Sequence, residues 1–122
     1  MIDYRFYNAN PLSRIENDCV CRAISGATGI PYYNIEEKLE LIARLFDCDE
    51  LCVCCYSHLL EKVFGLRQRY ADGLTVSEIG ELYPNKNIII RTEGHLTRVK
   101  DGILYDIFDC RDEIADVYWF VD

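Results

Sequence analysis

The hydrophobic pattern of this chain changes period at Pro84, and that change limits the folds open to it. Before Pro84 apolar residues recur at helical spacing; after it, short β-branched runs and turn residues take over. Lys86-Asn87-Ile88-Ile89-Ile90-Arg91-Thr92 reads as a core strand. His95 to Lys100 reads as a second strand. Asp101-Gly102 is a two-residue hairpin signal of the type I′ kind, from which Ile103 to Phe108 returns as a third. Ala115 to Val121, rich in aromatics, is a fourth. Helices followed by an antiparallel sheet of about four strands define an α+β domain. No repeat, linker or low-complexity tract interrupts the 122 residues, so 1–122 reads as a single domain with one core.

In the helical half, Val20, Ala23, Ile24 and Ala27 place a helix over Asp18 to Thr28, with Asn17 or Asp18 as its N-cap and Gly29 and Pro31 closing it. Its small residues predict tight burial. A second helix is expected from Asn34, where Glu37 completes a capping-box pattern, with Ile35, Leu39, Ile42, Ala43 and Phe46 as its apolar stripe. A third segment runs from Cys48 to Phe64, ended by Gly65, and residues 66–74 read as loop. Thr75-Val76-Ser77-Glu78 is another capping box, opening a short helix from Val76 to Leu82 that Tyr83-Pro84-Asn85 stops. Residues 1–17 read as an extended arm or short strand, anchored by Tyr4, Phe6 and Tyr7.

Charge narrows the function classes. Thirteen basic and 21 acidic residues give a net charge of −8, a field that repels phosphate backbones. The short basic stretch Arg67-Gln68-Arg69 is too small to reverse it, so no nucleic-acid partner is expected. No apolar run approaches the roughly 18 residues of a membrane span. The start of the chain lacks the basic and apolar regions of a secretory signal, so a cytoplasmic location is expected, with no membrane partner. Seven cysteines in such a compartment are reduced thiols, several of them small buried apolar residues.

One of the seven stands apart. Glu16-Asn17-Asp18-Cys19 sets Cys19 at the first turn of a helix, where the helix N-terminus favours the thiolate. Gly94-His95 places an imidazole at the start of a strand. With Asp101-Gly102 as the loop, Lys100 faces Ile103 and His95 lies opposite Phe108. Asp106 then shares the face of His95 and sits diagonally from it, within side-chain reach. Asp109 lies past the strand end, where a bend could return it. A carboxylate beside the histidine would fix its tautomer and stabilise its imidazolium; Asp106 is the first choice and Asp109 the alternative.

The segment from Asp47 to His58 holds four cysteines and a histidine. Cys52 and Cys55 have CxxC spacing and His58 follows three residues later, a partial zinc pattern. A structural zinc site draws its ligands from two knuckles, and no second pair is visible. The four cysteines therefore read as structural thiols, and neither a metal nor a cofactor is expected.

Asn17-Asp18-Cys19-Val20-Cys21-Arg22-Ala23-Ile24, with Thr28-Gly29-Ile30-Pro31-Tyr32, resembles the opening of small papain-like cysteine-peptidase-fold proteins of bacteriophages and bacteria. The resemblance resumes from Gly94 through Asp109 and ends on Val117-Tyr118-Trp119-Phe120. It implies a papain-like α+β fold with its site between a helical lobe and the sheet. In that family Cys19 matches the nucleophile and His95 the general base. Tyr105-Asp106-Ile107-Phe108 is similar to the segment whose Asn or Asp orients the histidine. The family also places a glutamine a few residues before the cysteine as an oxyanion donor. Ser13 stands there, leaving Asn17 as a substitute beside the backbone N–H of Cys19. The expectation is a cysteine peptidase or amidohydrolase acting by acyl transfer on a protein or peptide. Two alternatives stand: a noncatalytic papain-like inhibitor that binds a host protein, and a small zinc-binding domain built on Cys48, Cys52, Cys54, Cys55 and His58.

Overall fold

A computed structural model describes residues 1–121. Strand β1 (Asp3–Phe6) leads through a loop to helices α1 (Cys19–Thr28), α2 (Tyr32–Phe46) and α3 (Val53–His58), the last running into a π-helical turn over Leu59–Val63. Strand β2 (Arg69–Tyr70) and helix α4 (Val76–Leu82) precede strands β3 (Asn87–Thr92), β4 (His95–Lys100), β5 (Ile103–Asp106) and β6 (Ala115–Val121). The class is α+β, as the change of period at Pro84 predicts.

The sheet has six strands rather than four, in the order β1-β5-β4-β3-β6-β2, and it is mixed. Of the two extra strands, β1 falls in the segment read as an extended arm or short strand, and β2 in one read as loop. β1 pairs in parallel with β5, Asp3 opposite Ile103, and β2 adds a two-residue edge to β6. Both pairings join residues far apart in sequence, and neither segment is long enough to show a period of its own. The β4–β5 hairpin is as expected: Lys100 faces Ile103, and Asp101 and Gly102 have φ of 52° and 73°, the left-handed pair that a type I′ turn requires. β5 stops at Asp106, two residues short of its predicted end at Phe108.

Helices cover both faces, which explains why Ile88, Ile89 and Ile90 are all fully buried: a central strand with two covered faces reads as an unbroken apolar run. Ile89, Leu96, Val117 and Trp119 pack under α1, α2, α3 and the π turn. Ile88, Ile90, Val99 and Leu104 pack on the other side with Ile2 and with Val76 and Ile79 of α4. Arg98 fastens α1 to the sheet. Its Nη1 donates to the Gly26 carbonyl at 2.6 Å, and its guanidinium lies over the rings of Tyr105 and Tyr7 at 4.6 and 5.2 Å. Of the arm's aromatics, Tyr4 packs on the core, whereas Phe6 and Tyr7 remain largely exposed.

Two helix starts are instructive. The Thr75/Glu78 capping box forms in full, with Thr75 accepting from the Glu78 N–H at 3.1 Å and Glu78 from the Thr75 N–H at 3.0 Å. The box expected at Asn34/Glu37 does not form. α2 begins two residues earlier at Tyr32, behind Pro31, because the proline's fixed φ of −53° already suits a helix entry.

Gly80 of α4 marks the tightest approach of helix to sheet. A Cβ there would stand 2.9 Å from Ile2 Cγ2 and 3.2 Å from Val99 Cγ1. Helix propensity favours Gly→Ala by about 1 kcal/mol, whereas overpacking costs about 1–3 kcal/mol. Gly80→Ala is therefore expected to lower the urea midpoint, against its propensity; a raised midpoint would show that α4 can move off the sheet.

Candidate active site

Cys19 is the first residue of α1, and Asp18 occupies the N-cap position. The first main-chain bond of the helix runs from Arg22 N–H to Asp18 C=O at 3.0 Å, so the N–H of Cys19 is one of the donors a helix start leaves without an intrahelical partner. Asp18 does not cap with its side chain. Its carboxylate accepts instead from Arg22 Nε at 2.6 Å, Asn10 Nδ2 at 2.9 Å and the Tyr32 hydroxyl at 2.7 Å. Asn10 also holds the loop that enters the helix, donating to Glu16 Oε1 at 2.8 Å and accepting from the Leu12 N–H at 2.9 Å.

His95 opens β4, opposite Thr92 of β3, and Gly94 with φ of 73° makes the turn between the strands. Asp106 closes β5 and is almost fully buried. The hairpin register brings the two together: His95 Nε2 lies 2.7 Å from Asp106 Oδ2. The same oxygen accepts from the Thr97 hydroxyl at 2.5 Å. Oδ1 accepts from the Ile107 N–H at 2.6 Å and Arg22 Nη1 at 3.1 Å. Phe108, though outside the strand, lays its ring against the imidazole at a centroid distance of 4.6 Å.

Arg22 thus joins two buried carboxylates, Asp18 of the helix start and Asp106 of the strand end. Sequence reasoning missed this link, although Asp18 and Arg22 at i and i+4 on one helix face are a readable signal for their own pair. Thr97 was also readable, since the register that opposes Arg98 to Tyr105 sets Thr97 against Asp106. No local pattern points to Asn10 and Tyr32, which converge on Asp18 from opposite sides of α1 in sequence.

The electrostatics favour a charged pair. Burial pushes the Cys19 thiol up, but hydrogen bonding to the His95 ring and the Leu96 N–H, with the charges of His95 and Arg22, brings its pKa below the ordinary 9.0. Burial would lower His95; the Asp106 carboxylate, with help from Cys110 and Cys19, raises it instead to about 11. Asp106 is itself held below 3.8, because bonds from His95 and Thr97 outweigh its desolvation. With Nε2 on Asp106, the ring's other nitrogen, Nδ1, is the one left for proton exchange. The cleft in front of Cys19 and His95 has a volume of about 350 Å³, and its walls include Leu51, Val53, Tyr56 and Arg91.

Two of the named residues fall elsewhere. Asp109 does not bend back to the histidine: its carboxylate takes Arg111 as a two-pronged partner, at 2.9 Å from Nε and 2.8 Å from Nη2. Asn17 is exposed and lines a separate hollow with Glu16, Cys21 and Glu36, outside the Cys19 cleft. Ser13 is likewise exposed. Of the zinc candidates, Cys55 is fully buried and its thiol donates to the Leu39 carbonyl at 3.3 Å, while the His58 ring rests on Phe46 at 4.8 Å.

No family model, curated protein or solved structure matches this chain.

Removing one partner of a buried, hydrogen-bonded ion network strands the remaining charge and costs about 3–5 kcal/mol. Arg22→Ala leaves both Asp18 and Asp106 without their shared cation, and a loss of that size is expected in chemical denaturation at neutral pH. A loss below about 1 kcal/mol, the range of surface pairs, would show that the network adds little to stability. The linkage also has a sign. Asp106 is depressed, so its stabilisation is complete above pH 3.8 and is lost as pH falls through its folded value. Asp106→Asn should therefore flatten the acid limb of the wild-type stability curve.

Proposed function

We propose that this protein is a papain-like cysteine hydrolase, a peptidase or amidohydrolase that transfers an acyl group from a protein or peptide through Cys19, His95 and Asp106. The observation that carries the reading is the position of His95, bonded to Asp106 by Nε2 and lining the same cleft as Cys19 at the start of α1. A thiol at a helix N-terminus, an imidazole and a buried carboxylate in that sequence are the parts of an activated nucleophile.

The chemistry follows from the proton positions. His95 takes the Cys19 proton on Nδ1, giving a thiolate–imidazolium pair that Asp106 stabilises. The thiolate attacks the substrate carbonyl carbon, the C–S bond forms, and the carbonyl electron pair moves to oxygen. The tetrahedral oxyanion can be met by the free N–H of Cys19. Its collapse expels the amine, which takes the Nδ1 proton. Water, deprotonated by His95, then cleaves the thioester and returns the thiolate with the acid product. With Asn17 outside the cleft, Tyr56 and Arg91 are lining residues whose side chains carry donors, whereas the Thr92 hydroxyl donates to Glu113. Tyr56 is buried within hydrogen-bonding reach of Arg91 and close enough to feel the charge of Cys19.

The lack of an amide side chain beside Cys19 favours a second reading, in which the same cleft binds a protein partner without turnover. The two separate on the thiol's behaviour. In the hydrolase reading, alkylation of Cys19 by iodoacetamide, followed by peptide mapping, rises with pH through a midpoint below 9.0 and stays fast in the neutral range. Asp106→Asn withdraws the support of the imidazolium and should slow Cys19 alkylation at pH 7 by about tenfold, one pKa unit. A p-nitrophenyl ester should give a burst of one acyl group per chain, abolished in Cys19→Ala. Turnover should fall on the acid side as Cys19 is protonated and on the alkaline side as His95 loses its proton. A Cys19 that alkylates no faster than the buried Cys21 would sink the hydrolase reading and leave the binding module.

A further inference from the structure

The cysteine-rich loop brings together a set of thiols that its CxxC spacing does not mark. Cys48 follows α2, Cys52 is the N-cap residue of α3, and Cys54 lies in the first turn of α3. The sulfurs of these three lie within 4.8 Å of one another. The main chain holds them there: the N–H of Cys48 bonds to the Ala43 carbonyl at 3.0 Å, that of Cys52 to the Asp49 carbonyl at 3.0 Å, and that of Leu51 to Asp49 Oδ1 at 2.8 Å. Cys55, the partner of Cys52 in the CxxC pattern, is turned into the core.

We propose that Cys48, Cys52 and Cys54 form a three-thiolate site for a thiophilic divalent cation of the zinc type, with its fourth position open to solvent. Zinc–sulfur bonds of about 2.3 Å at tetrahedral angles set sulfurs about 3.8 Å apart, so closing on an ion takes movements of about 1 Å or less. Side-chain rotation alone supplies that. A bound cation displaces the thiol protons, which leave to solvent. The adjoining hollow carries Glu40, Asp47, Asp49 and Glu50 against one guanidinium, Arg44, so the local field draws in a cation. The site is distinct from the Cys19 cleft but not remote from it, since Leu51 and Val53, which alternate with these cysteines, line that cleft.

The test is a titration of the reduced protein with Co2+, followed by Zn2+. A thiolate-to-cobalt charge-transfer band should saturate at one equivalent and be discharged by zinc. Even outer-shell changes weaken metal sites by about 10–100-fold, so Cys54→Ser, at an exposed position, should weaken binding by at least about tenfold. Cys110→Ser should leave the band intact. Zinc should also protect Cys48, Cys52 and Cys54 from alkylation while Cys19 goes on reacting, a readout that does not depend on any variant folding. No band in the wild-type protein, a band unchanged by Cys54→Ser, or failure of zinc to protect these thiols would overturn the site. Loss of the band in Cys110→Ser would overturn it too, by moving the ion to the His95, Asp106 and Cys110 group.

Discussion

The carboxylate of Asp106 is the group on which the rest of the arrangement depends. It is buried, and a buried carboxylate is tolerated only when charge and hydrogen bonds compensate its lost hydration. Here His95, Thr97, Arg22 and the Ile107 N–H supply that compensation from β4, α1 and the chain just past β5. The cost of burying it therefore becomes a constraint on three elements at once. The helix that carries Cys19 is tied through Arg22 to the strand end that orients His95, so the thiol and the imidazole do not depend on loops for their alignment.

The sheet makes this possible because it is covered on both sides. α1 lies on β4 through Arg98 and Gly26, and α4 closes the opposite face through Gly80. With β3 buried on both faces, β4 is held by its ladders to β3 and β5 and by packing, and His95 opens that strand. The polar groups are confined to the strand ends, where the ladder stops at Asp106 and Phe108 shields the imidazole. There the imidazole owes its raised proton affinity to Asp106, against its burial, and a cleft of about 350 Å³ lies in front of it.

The second cluster of thiols shows the opposite design. Cys48, Cys52 and Cys54 sit between two helices, partly in water and beside acidic side chains. Three sulfurs within 4.8 Å of one another are the geometry on which the proposed metal site rests. Seven cysteines thus divide by environment: Cys19 beside a histidine, three in the surface cluster, and Cys21, Cys55 and Cys110 in the core.

What the sequence determined by itself was everything set by local period and turn chemistry. The hairpin at Asp101-Gly102 fixes its register within a few residues, and that register alone predicts Asp106 diagonal to His95. The Thr75 capping box and the aromatic strand from Ala115 were legible for the same reason. Tertiary structure decided what depends on long-range pairing: the parallel edge strand β1, the two-residue β2, and Arg22 as the link between Asp18 and Asp106. It also chose between equivalent local options. Asp109 lost to Asp106 because Arg111 stands two residues away and neutralises it. Asn17 lines a different hollow from Cys19, beside the Asp18 that anchors the helix start. The cysteines that meet are not the CxxC pair, since α3 sends Cys55 into the core and leaves Cys54 to face Cys48 and Cys52. Spacing lists the side chains available, but burial decides which of them have a reason to meet.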